Sequence, residues 1–166
     1  MHLSAAGLEF IKGWEKFVPT PYDDGYGYLT IGYGHRIRSG ETFTRLTLEE
    51  ALALLAQDVS WAVAAVNNNV RVPLTQSMFD ALVSLVFNWG EPNFKRSSLL
   101  QKLNAGDYYG AAQRLSEHPI TSGGVVSNGL IRRRREESEM FLREGLPLAN
   151  PTKPRRRRKR PSPGMK

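Results

Sequence analysis

The amino-acid sequence predicts an α+β, mainly helical fold built as two small lobes, and three observations predict it. Residues 17–44 lose every helical period and step between extended segments and prolines or glycines, which specifies a small antiparallel β-sheet. From Thr47 a capped and striped stretch runs to about residue 67, long enough to bridge two lobes. After Thr75 the stretch QSMFDALVSLVFNWG is apolar on nearly every side, as the central helix of a second lobe has to be. The chain therefore divides into a sheet-bearing N-lobe of about 1–46, a bridging helix of about 47–67 and a helical C-lobe of about 70–145. These make one domain of residues 1–150, followed by a basic tail at 151–166.

Each element has its own signal. Ser4 is an N-cap candidate for a first helix running to about Trp14, with Leu8, Ile11 and Glu15 on one face. Glu15 thus continues an apolar stripe at the helix end. In YLTIGYG the alternation of a strand sets Leu29, Ile31 and Tyr33 against Tyr28, Thr30 and Gly32, so Thr30 points away from the apolar side. Thr47 and Glu50 form a capping box for the bridging helix, whose Leu48, Leu52, Leu55, Val59, Val63 and Val66 make a stripe. Thr75 caps the central helix, Ser98 with Gln101 reads as a further capping box, Asp107 caps YYGAAQRLSEH, and Asn128 caps GLIRRRREESEMFLREG. Arg132 to Arg135, followed by Glu136, Glu137 and Glu139, read mostly as a solvated helix face.

Composition limits the chemistry. There is no cysteine, and the three histidines (His2, His35, His118) lack zinc spacing, so neither a metal nor another cofactor is expected and the reaction has to use oxygen and nitrogen groups. No run of about 18 apolar residues is present, so no transmembrane segment is expected. Charges at Glu9, Lys12, Glu15 and Lys16 interrupt any apolar leader, so no export signal is expected. The net charge of +7 resides at one end: residues 151–166 hold eight Lys/Arg and no acid, leaving 15 basic against 16 acidic residues elsewhere. Prolines and like-charge repulsion make that Arg-rich tail an expected disordered arm.

The residues that carry chemistry are carboxylates. Glu15, beside apolar neighbours, is placed where desolvation keeps a carboxylic acid protonated and able to donate. Asp24 follows nine residues later in a DG turn, where partial solvation keeps it ionised. Two carboxyl groups with opposed proton affinities are the pattern of glycoside hydrolysis. Adjacent residues in extended chain face opposite ways, so only one of Asp23 and Asp24 addresses a cleft, and spacing to Glu15 and Thr30 favours Asp24.

Glu15, eight residues, Asp24, five residues, Thr30 and then IGYGH resembles the catalytic segment of the phage-type lysozymes, the endolysins of lambdoid and T-even phages in glycoside hydrolase family 24. The resemblance extends to Gln57 and Asp58, to VFNWGE at 86–91 and to GLIRRRREESEMF at 129–141, and it spans roughly residues 4–145. It implies a lysozyme-like two-lobe fold and cleavage of the β-1,4 bond between N-acetylmuramic acid and N-acetylglucosamine in bacterial peptidoglycan. Glu15 would protonate the leaving oxygen, while Asp24, with Thr30, would stabilise the transition state and position the attacking water. Inversion of the anomeric centre is implied, which calls for carboxyl groups roughly 6.5–9.5 Å apart.

Further residues are carried over by the same resemblance. Phe87 and Asn88 match cleft-lining positions and Ser97 a substrate-contacting serine, with Ser98 competing for that register. His35 and Asp58 match a structural ion pair between sheet and helix. Arg133 best matches an arginine near the catalytic glutamate. An enzyme of this kind would accumulate in the cytoplasm of an infected cell and reach the wall after another protein has permeabilised the membrane; a monomer is the default.

The tail suits any polyanion, including lipopolysaccharide and other anionic envelope polymers. It has no aromatic residue for base stacking, so no specific nucleic acid is expected as partner. The competing functional class is a cationic envelope-disrupting factor that works through its tail without catalysis.

Overall fold

The computed structural model describes residues 1–148; the tail at 151–166 lies outside the described residues. Helix α1 (Ala5–Lys12) begins at Ser4, whose hydroxyl accepts from the Gly7 N–H. Asp80 of the central helix fastens this start, accepting from the Ser4 backbone N–H, the Ser4 hydroxyl and the Gln76 side chain. The helix stops at Lys12, earlier than expected, so Glu15 lies in the turn that follows, its N–H donated to the Lys12 carbonyl.

Strands β1 (Val18–Asp23), β2 (Leu29–Gly32) and β3 (His35–Arg36) form an antiparallel sheet in sequence order. Tyr22 pairs with Thr30, and Thr30 with Arg36. The register slips between Val18 and Tyr22, where Pro19 and Pro21 remove ladder donors. Alternation places Ile31 in the core, but Leu29 is 58% exposed because it sits at the hairpin end of β2, past the part covered by Leu46 and Ala51 at Gly32. Thr30 is covered as well, at 3% exposure.

The bridging helix is two helices, α2 (Leu48–Asp58) and α3 (Ser60–Asn69), interrupted at Val59. The Thr47–Glu50 capping box opens α2 with both reciprocal bonds present. Leu55, Val59 and Val66 of the stripe are buried, whereas Leu48 is exposed at the first turn. No proline or glycine explains the interruption, which falls next to Asp58, the residue that reaches across to the sheet.

Helix α4 (Gln76–Trp89), capped by Thr75, is buried from Ser77 to Val86 and carries the core of the C-lobe. Around it pack α5 (Glu91–Arg96), α6 (Ser98–Asn104), α7 (Tyr108–Glu117) and α8 (Asn128–Leu142), and a two-stranded hairpin, β4 (Thr121–Ser122) and β5 (Val125–Val126), joins α7 to α8. Two expected caps move by one residue. Ser97, not Ser98, accepts from the Leu100 N–H to cap α6, and Ser127, not Asn128, accepts from the Leu130 N–H to cap α8. In each pair both residues are able to cap, and the packing of the helix face chooses between them.

Ser97 is buried and its hydroxyl also donates to the Phe94 carbonyl, whereas Ser98 is exposed. Ser97→Ala is expected to lower unfolding free energy by about 1–2 kcal/mol in urea denaturation and Ser98→Ala to stay within about 0.5 kcal/mol. The opposite ranking would reject the register.

Candidate active site

Glu15 projects from the turn after α1 towards the sheet. Its carboxylate approaches Gly34, where an added Cβ would lie 3.7 Å from Oε2; Gly34 also takes a positive φ of 87° in the turn between β2 and β3, so a side chain there would strain the backbone and crowd the carboxylate. Burial raises the proton affinity of Glu15 above the ordinary carboxyl range, and the guanidinium of Arg133 opposes the shift without cancelling it. This is the desolvated acid that the stripe at the end of α1 implied.

Arg133 is held by a buried ionic cluster on α4 and α8. Its Nε and the Nη2 of Arg134 each donate to Glu137 Oε1 at 3.1 Å, and the Ser84 hydroxyl donates to the same oxygen at 2.6 Å. Arg133 Nη2 also reaches the Ser84 carbonyl and hydroxyl oxygens. Arg134 Nε lies 2.8 Å from Glu137 Oε2 but lacks hydrogen-bond alignment, so that contact is ionic only. Desolvation, with the charge of Arg133, pushes the Arg134 pKa down to about 10 despite Glu137, which leaves it cationic at neutral pH. The expectation of a solvated arginine face therefore holds for Arg132 and Arg135, which pair with Glu136 and Glu139, and fails for Arg133 and Arg134. Arg132 and Arg133 also face the ring of Trp14, at 4.9 and 5.7 Å.

Asp24 sits in the β1–β2 turn. Its Oδ1 accepts from the backbone N–H groups of Tyr26 and Tyr28, and Oδ2 lies 3.8 Å from Arg36 Nε. Asp23 also serves this loop, accepting from the Gly25 N–H. Thr30, in the neighbouring strand, donates its hydroxyl to the Tyr28 carbonyl at 3.3 Å. Arg36 joins these groups: it pairs with Thr30 in the sheet, approaches Asp24 and lies 4.1 Å over the Tyr28 ring. Sequence reasoning missed Arg36 because nothing local distinguishes it from Arg38.

His35 meets Asp58 through Nδ1, 2.9 Å from each carboxylate oxygen, and also meets Glu41, whose Oε2 is 2.8 Å from Nε2. Glu41 was not foreseen; it comes from the irregular connection between β3 and the bridging helix, where spacing carries no signal. Phe87 is half-buried at the end of α4 with its ring 6.1 Å from that of Trp61, and Asn88 is exposed on the next position. Ser97 is not brought to this group. It lines a separate pocket of about 390 Å³ with Trp89, Ser98, Arg114, His118 and Ile120.

The profile of the phage lysozyme family matches residues 12–137, which contain Glu15, Asp24, Thr30 and the buried cluster. The chain belongs to the phage lysozyme family. It is 39% identical over 146 residues to an endolysin of Acyrthosiphon pisum secondary endosymbiont phage 1, covering 85% of this chain and 98% of that protein. Among solved structures it is similar to an endolysin from Escherichia coli O157:H7 phage FAHEc1, with a TM-score of 0.78 and 38% identity over 89% of this chain and 97% of that one. The muramidase domain of SpmX from Asticaccaulis excentricus superposes with a TM-score of 0.76 and 41% identity, covering 86% of this chain and 99% of that domain. The phage lysozyme architecture of sheet lobe, bridging helix and helical lobe is the one described above.

Burial alone would lower the proton affinity of His35, but hydrogen bonds to Glu41 and Asp58 outweigh it and the pKa is raised. Such a group stabilises the fold fully below its unfolded pKa of about 6.5 and loses that contribution as pH rises through the folded value. His35→Asn is therefore expected to lower Tm most at about pH 5–6, with the gap to wild type narrowing in more alkaline buffer. A gap that widens with pH would contradict the paired imidazolium.

Proposed function

We propose that this chain is an endolysin-type muramidase that hydrolyses the β-1,4 bond between N-acetylmuramic acid and N-acetylglucosamine in bacterial peptidoglycan. Membership of the phage lysozyme family supports glycosidase action on peptidoglycan in general. The observation that carries the specific reading is Glu15: a half-buried carboxyl group with raised proton affinity, opening towards the sheet that bears Asp24 and Thr30.

In this mechanism Glu15 gives its proton to the glycosidic oxygen as the C–O bond breaks. Asp24 stabilises the positive charge that develops on the sugar ring, and Asp24 and Thr30 orient the water that attacks the opposite face, so the anomeric centre inverts. The two N–H bonds to the Asp24 carboxylate and Arg36 beside it support this role. Phe87 and Asn88 would line the sugar cleft, while His35 and Asp58 join sheet to helix and stay outside the chemistry. Ser97, committed to the cap of α6 and to a separate pocket, has weaker support as a substrate contact. The enzyme would act as a monomer, made in the host cytoplasm and reaching the wall once the membrane has been permeabilised.

Glu15→Gln is expected to reduce the clearing of purified peptidoglycan by about 10²- to 10⁴-fold with little change in Tm. Since a general acid has to be protonated, wild-type activity should fall as pH rises through the elevated Glu15 pKa, giving an alkaline limb above the ordinary carboxyl range. Equal clearing by Glu15→Gln and wild type would remove the mechanism, and α-configured initial products from the β-linked strand would confirm inversion.

The basic tail is proposed to concentrate the enzyme on anionic envelope surfaces such as lipopolysaccharide, because its charge is confined to 151–166. Deleting residues 151–166 should weaken lysis of intact Gram-negative cells at low salt while sparing clearance of purified peptidoglycan. Unchanged lysis of intact cells would overturn the tail's role.

A further inference from the structure

Trp61 stands in the first turn of α3, three residues after Asp58, and it is 43% exposed on a helix whose other large apolar side chains turn inward. Its ring leans on Phe87 at 6.1 Å and an interplanar angle of 39°, which fixes the indole and leaves part of it facing solvent. A pocket of about 410 Å³ opens there, with Tyr28, Gly34, Arg36, Arg38, Trp61 and Phe87 in its lining and the Asp58 carboxylate, engaged by His35, also on its wall. Through Gly34 this pocket adjoins the Glu15 carboxylate, and through Tyr28 and Arg36 it adjoins Asp24. It is therefore continuous with the candidate active site and extends it along the bridging helix.

The lining has the chemistry of a site for an acidic glycan. A pyranose ring presents a C–H face that packs on a fixed aromatic surface, and Trp61 and Phe87 supply two such surfaces in contact. Arg36 and Arg38 are 61% and 73% exposed at their side chains, so both guanidinium groups stay accessible to carboxylates. Their present partners, Asp24 and Asp58, are each 3.8 Å away, long for a charge-assisted hydrogen bond and leaving donors free.

We propose that Trp61 is a saccharide platform and specificity determinant: an N-acetylated hexosamine of the wall strand stacks on its indole, while Arg36 and Arg38 receive carboxylates of the peptide attached to that strand. This rests on the muramidase reading and extends it, since it assigns a binding surface beyond the groups that act on the scissile bond. The aromatic lining and the cationic rim have different consequences. The lining recognises any hexosamine oligomer, whereas the rim favours one that carries peptide.

The test uses the full chain in a Glu15→Gln background, where binding needs no turnover. Cosedimentation with purified Gram-negative sacculi is expected to weaken about tenfold in Trp61→Leu, which keeps apolar bulk against Phe87 but removes the aromatic face, and to recover most of its strength in Trp61→Tyr. In otherwise wild-type protein, Trp61→Leu is expected to raise KM on solubilised peptidoglycan by about the same factor while kcat changes by less than about twofold. Arg38→Gln should weaken binding to peptide-bearing strands and leave binding to a chitin tetrasaccharide unchanged. Sacculus binding by Trp61→Leu equal to that of its parent overturns the proposal, as does a loss that Trp61→Tyr fails to restore, which would mean a packing defect. A dimer in sedimentation velocity that Trp61→Leu abolishes, with sacculus binding intact, would overturn it in favour of self-association. If wild-type protein fails to clear peptidoglycan, the muramidase reading falls, while cosedimentation still decides the fate of Trp61.

Discussion

The electrostatic setting of Glu15 depends on two arginines and one glutamate of α8 that are withdrawn from water against α4. Arg133, Arg134 and Glu137 are buried together, and the single carboxylate cannot neutralise both cations. Desolvating an ion costs several kcal/mol, so such a cluster persists only where hydrogen bonds and geometry compensate, and removing one member typically costs about 3–5 kcal/mol. Here Ser84 from the central helix and the convergence of three donors on one Glu137 oxygen supply that compensation. The excess positive charge is carried towards Trp14 and Glu15. Glu15 is thus set between two opposed forces: burial favours the protonated acid, and the nearby cation favours the carboxylate. An acid that donates a proton and must recover it is served by that intermediate condition.

The other half of the site is held to the bridging helix by a second ionic contact, that of His35 with Asp58 and Glu41. Gly34 and Arg36 flank His35 along the chain, one beside Glu15 and the other beside Asp24. The paired imidazole thus stands between the residue that approaches Glu15 and the residue that approaches Asp24. Asp58 sits at the interruption between α2 and α3, and Trp61 rises from the next turn. The short segment from Asp58 to Trp61 ties the sheet at one end and faces Phe87 of the central helix at the other. The lobes meet through side chains from each element, with the candidate cleft at their junction.

Legibility varied with the range of the deciding interaction. The caps at Ser4, Thr47, Thr75 and Asp107 could be read directly because a hydroxyl or carboxylate three residues before its N–H partner is a local arrangement. The caps of α6 and α8 fall one position before the expected Ser98 and Asn128, at Ser97 and Ser127, because cap-competent residues stand side by side and a local pattern does not choose between them. The β4–β5 hairpin was missed although a Gly-Gly pair lies between its strands; strands of two residues are too short for alternation to show. Leu29 obeys the strand period yet meets solvent, since period assigns a side and says nothing about whether that side is covered.

By itself the sequence determined the two-lobe α+β organisation, the family and the trio Glu15, Asp24 and Thr30 as the residues to examine, because each is encoded in spacing along one stretch of chain. It also favours Asp24 over Asp23, through the opposite facing of adjacent extended residues. Only the tertiary structure decided which of four consecutive arginines are buried, that Glu41 joins His35 and Asp58, and that Trp61 shares a pocket with Tyr28, Arg36 and Phe87. The physical reason is the same in all three cases. Burial of a charge and convergence of side chains depend on neighbours distant in sequence, and a helical or strand period carries no record of what packs against it.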